Sequence, residues 1–406
     1  MATITAAPAW SRSLILLVAL AILLNYIDRG TLGVAGPLIK AELGLSATQF
    51  GLAVSAFFWV YAPIQLLVGW LCDRLCVYRL YGAGVALWAL ATLLTGFIGG
   101  LFSLVLLRLL LGLGESIAFP GSSKIIARHV PAARRGFANS CVSAGIALGP
   151  AVGTLAGGLI MISFGWRAMF IVFGLITLLW LAPWHLVSAP LRRDSRATRE
   201  APFPPHLLLG KRALWGMSLG HFCANYSLYF VLAWLPLYLV QSRGYSIADM
   251  TMLATIVYVA QAASAFFFGW LSDHLVAGGR EEGPIRRALL AASFVATAMA
   301  VIGIATASTL PALIAWLVLA GICFGIGSLN LYAVSQMFAG PRAVGTWVGI
   351  QNCMGNLAGI TGPIITGIIV DRTGSYIYAF IVVAGIALVG AVNWMMLPRI
   401  EQVALD

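Results

Sequence analysis

The sequence predicts an all-α integral membrane protein: twelve transmembrane helices in two six-helix halves, with both termini in the cytoplasm. Three observations carry the prediction. The chain is 61% hydrophobic and only 9% charged, with a mean hydropathy of +0.96, too few charges to cover a soluble fold of 406 residues. Its apolar runs are long enough for helices of about 20 residues, whereas an outer-membrane barrel would show short alternating strands. A short internal repeat also relates the two halves at an offset of 200 residues: Asn25-Tyr26 returns as Asn225-Tyr226, and Gly69-Trp70-Leu71-Cys72-Asp73 as Gly269-Trp270-Leu271-Ser272-Asp273.

The first apolar segment, 14–38, follows the leader MATITAAPAWSRS and contains Asp28 and Arg29. No small-residue cleavage site follows a short apolar core, so it reads as a retained helix. The second, 47–71, ends in a polar turn carrying Asp73 and Arg74, and the third, 79–98, begins at Arg79. The fourth, 102–127, holds Arg108 and Glu115. The fifth, 137–161, carries Gly145, Gly149, Gly153 and Gly157 at four-residue steps, with Pro150 among them. Small residues at that spacing let two helix backbones approach closely. The sixth, 167–186, leads into the one long polar stretch, a cytoplasmic linker over 187–212 rich in Arg and Pro. This divides the chain into an N-terminal bundle (1–186), the linker, and a C-terminal bundle (213–406). The second bundle is read as segments 213–240, 247–271, 285–306, 309–331, 343–369 and 375–396. An even number of helices per half makes the repeat parallel, an arrangement that places a cavity between halves near the midplane.

Orientation follows from the cations. Eighteen Lys and Arg fall on the side of the termini, among them Arg12, Arg134, Arg135, Arg192 and Arg193, and only Lys40, Arg167, Arg243 and Arg372 on the other. The net charge of +11 is thus mostly topology, and no compact basic domain exists to bind nucleic acid. The cysteines Cys72, Cys76, Cys141, Cys223, Cys323 and Cys353 lack metal-ligand spacing and read as reduced structural thiols. His129, His185, His206 and His274 lie in loops or at helix ends and read as incidental. No phosphate-binding loop, nucleophile elbow or zinc-protease motif occurs, so an enzyme reading has no catalytic constellation behind it.

Two acids and two bases sit inside apolar segments: Asp28, Arg29, Arg108 and Glu115. A charge at the bilayer centre costs at least ~2.5–3.5 kcal/mol on insertion scales, so such residues are usually functional. Arg108 and Glu115 are seven residues apart, on one helix face but about 10 Å from each other along the axis, so each is expected to meet the first helix. An arginine stays charged, while a carboxylate at membrane depth can take up a proton. Asp28 and Glu115 are therefore the proton-coupling candidates. Arg29 and Arg108 are the fixed charges.

Specific motifs then appear. Gly69-Trp70-Leu71-Cys72-Asp73-Arg74 with Arg79 resembles the loop signature of the major facilitator superfamily, with Cys76 in place of the usual second glycine. Asn25-Tyr26-Ile27-Asp28-Arg29 through Ala35 resembles the first helix of that superfamily's anion:cation symporter family, which includes bacterial sugar-acid symporters and the vesicular glutamate transporters. Arg108 to Glu115 with Phe119-Pro120, and Gly355-Asn356-Leu357-Ala358-Gly359 with Pro363 and Gly367, resemble further motifs of the same family.

The resemblance implies a proton-coupled symporter working by alternating access, with Asp73 and Arg74 as a conformational latch. It implies Asp28 and Glu115 as proton carriers and Arg29 as the clamp on a substrate carboxylate. Tyr26 and Tyr61 match substrate-contacting tyrosines of sugar-acid symporters. Asn352 and Asn356, one turn apart, could read hydroxyls, with Asn225, Gln261, Gln351 and Trp347 as further candidates. The vesicular glutamate transporters carry a second arginine near the position of Ala224, and here the seventh segment has none. One clamp fits a monocarboxylate, and the expected substrate is a hydroxylated sugar acid. The alternative is a proton-independent facilitator or exchanger of organic anions with the same fold. Protons are the coupling ion, no cofactor or metal is expected, and the protein is expected to be a monomer in the lipid bilayer of the cell inner membrane.

Overall fold

The computed structural model describes residues 9–130, 132–192 and 204–403. Their regular structure is helical throughout: α1 (Ala9–Glu42), α2 (Ala47–Arg74), α3 (Val77–Thr95), α4 (Leu101–Glu115), α5 (Ala118–His129), α6 (Ala132–Ser188), α7 (His206–Leu209), α8 (Arg212–Leu237), α9 (Ile247–Ala277), α10 (Glu282–Thr306), α11 (Leu310–Thr373) and α12 (Ile377–Met396). The middle of the expected linker, 193–203, lies outside the described residues.

Eleven helical stretches among the described residues are long and apolar enough to cross a membrane. The sequence reading has one more because a 51-residue stretch, Ala138–Ser188, runs through two expected segments. It bends between them at Gly165, whose φ of 82° favours glycine. A similar break at Gly340 (φ 63°) divides α11 into Leu310–Gly340 and Ala343–Thr373. α4 and α5 together make one apolar stretch, Leu101–His129, joined by a turn at Ser116 and Ile117.

Helix ends follow local chemistry. Ser46 caps α2 by accepting from the Gln49 amide, while Gln49 accepts from the Ser46 amide. Ser246 and Thr309 cap α9 and α11, and Gly374, in the left-handed conformation, ends α11.

In the first half, α1 and α3 pack on α6, and α4 lies between α2 and α3. The glycine stripe decides the first of these contacts. A Cβ on Gly145, Gly149 or Gly153 would lie 3.0, 2.4 or 2.9 Å from atoms of α1, at Ala19, Tyr26 and Ile27. Gly112 and Gly114 do the same for α4, against the Phe57 carbonyl of α2 and the Trp88 amide of α3. The second half pairs α8 and α9 with α11, and α10 with α11 and α12.

Between halves, α1 meets α8, α2 meets α11 and α6 meets α9. The tightest approaches lie toward the end that carries the α1–α2 turn. A Cβ on Gly33 would lie 2.0 Å from the Leu232 carbonyl oxygen, and one on Gly51 would lie 2.2 Å from that of Pro363. At that end Asp371 of α11 accepts from the Ala47 and Thr48 amides of α2, at 2.9 and 2.7 Å. That carboxylate caps a helix of the other half.

Candidate functional site

The α1–α6 contact fixes the inward face of α1, and the α2–α4–α3 sandwich fixes α4. Together they bring the four intramembrane charges to one place. Asp28 and Glu115 are 1% and 0% exposed and Arg108 is 5% exposed, a depth at which an unpaired charge is costly. Arg29 Nε donates to Glu115 Oε2 at 2.9 Å. The Arg29 guanidinium lies 4.6 Å from the Tyr61 ring centroid, 5.0 Å from Tyr26 and 5.5 Å from Phe57, an aromatic cage of cation–π contacts.

This pairing leaves definite vacant valences. Arg29 Nη2, Glu115 Oε1 and both Asp28 oxygens are buried without a hydrogen-bond partner among the described residues. Arg108 was expected to meet the first helix. It lies within electrostatic reach of Asp28 and Glu115, yet it forms no ion pair within 4 Å among the described residues. Arg108 and Glu115 are therefore not equivalent: the acid holds α1 by contact, the base only by field.

Arg29 opens into a cavity between the halves of about 640 Å³, its open part included. The first half contributes Tyr26, Arg29, Tyr61, Phe119 and Pro150. The second half lines it with neutral polar groups, and these are wired together. Tyr229 donates to Asn356 Oδ1 (2.7 Å), Asn356 to the Asn352 carbonyl (2.8 Å), Tyr332 to Asn352 Oδ1 (2.9 Å), and Asn225 to the Gly355 carbonyl (3.1 Å). Phe58 and Tyr229, with ring centroids 4.6 Å apart, join the halves beside the cavity. A second cavity of about 480 Å³ lies behind Arg29 and holds Arg108, Phe57 and Phe58.

Of the expected substrate contacts, Arg29, Tyr26, Tyr61, Asn352 and Asn356 share the larger cavity, and Arg108 lines only the smaller. Asn225 and Gln261 also reach the larger one. Gln351 and Trp347 do not: the Gln351 side-chain Oε1 accepts from Ser335 and from the Trp347 indole, a buried packing network. Of the expected latch, the Asp73 side chain lies outside the described ones, and Arg74 is exposed at the end of α2. Beside it, Lys124 donates to the Cys72 carbonyl at 2.6 Å and so caps α2.

Sequence reasoning did not single out Tyr258 and Tyr332. Each is a tyrosine on an apolar helix, and the need of a phenolic hydroxyl in such a helix for a partner was the available signal. Cys141, Cys223, Cys323 and Cys353 are free thiols, and no group of three or more potential metal ligands occurs among the described residues.

The sequence and the fold have counterparts in known proteins. The sequence pattern of the Major Facilitator Superfamily matches residues 18–280 and 244–405. The chain is 32% identical to the "Probable sulfoacetate transporter SauU" of Cupriavidus necator, over 90% of this chain and 89% of that one. It is 30% identical to the "Probable galactarate/D-glucarate transporter GudP" of Bacillus subtilis, over 92% and 89%. A crystal structure of a bacterial homologue of the human lysosomal transporter Spinster superposes with a TM-score of 0.81 over 97% of this chain and 98% of that one, at 19% identity, and shares the fold. The chain therefore belongs to the Major Facilitator Superfamily and to its anion:cation symporter type, as a multi-pass membrane transporter and not an enzyme.

Proposed function

We propose that this protein is a proton-coupled symporter of a small organic monocarboxylate, a hydroxylated sugar acid. The observation that carries the reading is the half-used Arg29 guanidinium: its Nε holds Glu115, while its Nη2 is buried without a partner among the described residues, in a side chain that lines the cavity. An ionised Glu115 competes with an incoming carboxylate for this guanidinium. A protonated Glu115 loses most of that attraction and frees the fork for bidentate binding. Proton and anion therefore bind better together than apart, which is the thermodynamic content of symport. Asp28, buried without a hydrogen-bond partner among the described residues, serves as the second proton site. Arg108 keeps the field positive enough for an anion to enter.

In this reading the chain has twelve spans, since Gly165 divides the longest stretch in two, and both termini face the cytoplasm of a cell whose inner membrane it occupies. Residues 1–186 and 213–406 act as two bundles around 187–212, and a monomer suffices. Asp73 and Arg74 latch the cytoplasmic end. Protons are the only coupling species, with no cofactor.

Two measurements on reconstituted protein test this. Substrate addition should alkalinise a weakly buffered external medium. Glu115→Gln should abolish uphill, proton-driven accumulation while retaining binding or exchange. Full uphill uptake by that variant would refute the coupling role, and uptake without proton movement by the unaltered protein would leave a facilitator or exchanger.

A further inference from the structure

Arg29 and Tyr229 line both cavities, so the two compartments share a wall at the guanidinium. They extend from it in opposite directions. α1 and α8 run side by side toward one end, since Gly30 meets Leu232 and Gly36 meets Leu237. The larger compartment takes Tyr26, His221 and Asn225, which precede Arg29 and Tyr229 along those helices. The smaller takes Leu32, Gly33 and Ala233, which follow them. It therefore points to the end that carries the α1–α2 turn, where the halves are closed.

One cation belongs to the smaller compartment alone. Arg108 is 5% exposed, lines it from α4, and has no ion pair within 4 Å among the described residues. Gly112, one turn further along α4, lies so close to α2 that a Cβ would come within 2.2 Å of the Phe57 carbonyl oxygen, and this holds Arg108 beside α2. Val54, Phe57, Phe58 and Leu111 make the walls around it apolar. Two contacts that border the compartment join the halves: Phe58 on Tyr229, and Gly33 on the Leu232 carbonyl. Both part when that end opens. The compartment then merges with the mouth there, and Arg29 and Arg108 face one opening.

We infer that Arg108 is a side-specific anion ligand: a carboxylate held by Arg29 meets Arg108 as a second cation only while the site is open to the α1–α2-turn end, and loses it when the site opens to the other. In the orientation proposed above, the site grips its anion from the cell exterior and loosens it toward the cytoplasm. Binding must be firm enough to capture the anion and weak enough to release it, and one cation that stays behind at the turn end supplies the difference. Linkage fixes the rest, because a ligand that prefers one state draws the loaded protein toward that state by the same factor.

The inference rests on the organic-anion reading and its orientation, and the experiment keeps them apart. Uptake of labelled gluconate is measured with the proton gradient collapsed, in right-side-out and in inverted membrane vesicles carrying the unaltered protein, Arg108→Gln or Arg108→Lys. Arg108→Gln should raise the exterior-face KM about tenfold and leave the cytoplasmic-face KM within about twofold, which also shows that it is folded. Vmax/KM stays equal in the two directions at zero gradient, so the ratio of exterior to cytoplasmic Vmax should rise by the same factor. Arg108→Lys keeps the charge and should restore most of the exterior-face affinity. A KM raised at both faces alike, at neither, or at the cytoplasmic face alone overturns the assignment, as does Arg108→Lys behaving like Arg108→Gln. If the unaltered protein takes up gluconate at neither face, the sugar-acid reading falls, and the inference with it.

Discussion

The two bundles share a helix order and a motif repeat and differ in what they bury. At equivalent repeat positions the first half carries Asp28 and Arg29 and the second carries Leu228 and Tyr229, and Arg29, Leu228 and Tyr229 all line one cavity. In the first half the polar work is done by charges that leave valences open. In the second it is done by amides and phenols that mostly satisfy one another. The lesson is a division of labour. Ionisable groups must sit where protonation can change their pairing, whereas shape and hydroxyl recognition need neutral groups whose geometry does not change with the proton.

The most damaging way to break this comparison is to remove the fork. Arg29→Lys keeps the charge but loses the planar pair of donors and the aromatic stacking, and should weaken substrate affinity by about 10- to 100-fold, read as Kd or uptake KM. Next, Asp28→Leu copies the second half into the first. It should abolish proton-driven accumulation and yet raise the thermal midpoint by a few degrees, because a buried carboxylate without a partner among the described residues is replaced by an apolar group of similar size. Thermal unfolding in detergent and uptake into vesicles read the two effects separately.

The reverse exchange, Tyr229→Arg, puts a cation into the second half. It should improve dicarboxylate binding about tenfold relative to gluconate, at the cost of the Asn356 contact. A competition assay with glucarate measures it. Asp371→Asn should have the smallest effect. It removes the charge from a cap on α2, worth about 0.3–1 kcal/mol, and should shift the balance of conformations away from the one closed at that end. The labelling rate of a cysteine placed at Ala47 would report it.

Much of this was legible from sequence because the membrane makes its demands visible. The apolar runs give the helices, and the charges within them mark where the buried pair of Arg29 and Glu115 meets the cavity. The expectation that Glu115 meets the first helix follows from spacing alone and holds at 2.9 Å to Arg29. Periodicity could not show that Arg108 stops short of an ion pair, because a side chain that long reaches several positions from one backbone site. The role of Gln351 was equally hidden: an amide in an apolar helix needs a partner, but the sequence does not say whether that partner is Ser335 or a ligand. Gly165 and Gly340 lie among 44 glycines, and only backbone angles reveal which two turn the chain.

The contact at Gly33 has a mechanical consequence. There α1 and α8 cross backbone to backbone, with no side chain between the Gly33 Cα and the Leu232 carbonyl, so a tilt about this crossing would meet no side-chain interlock at that point. Arg29 is one helical turn from it, roughly 6 Å along the axis, while Leu14 is nearer 28 Å away. A tilt of about 10° would carry the far end of α1 through some 5 Å but Arg29 through only about 1 Å. A fulcrum so close to Arg29 would let one end of the molecule swing widely while the guanidinium stays nearly still.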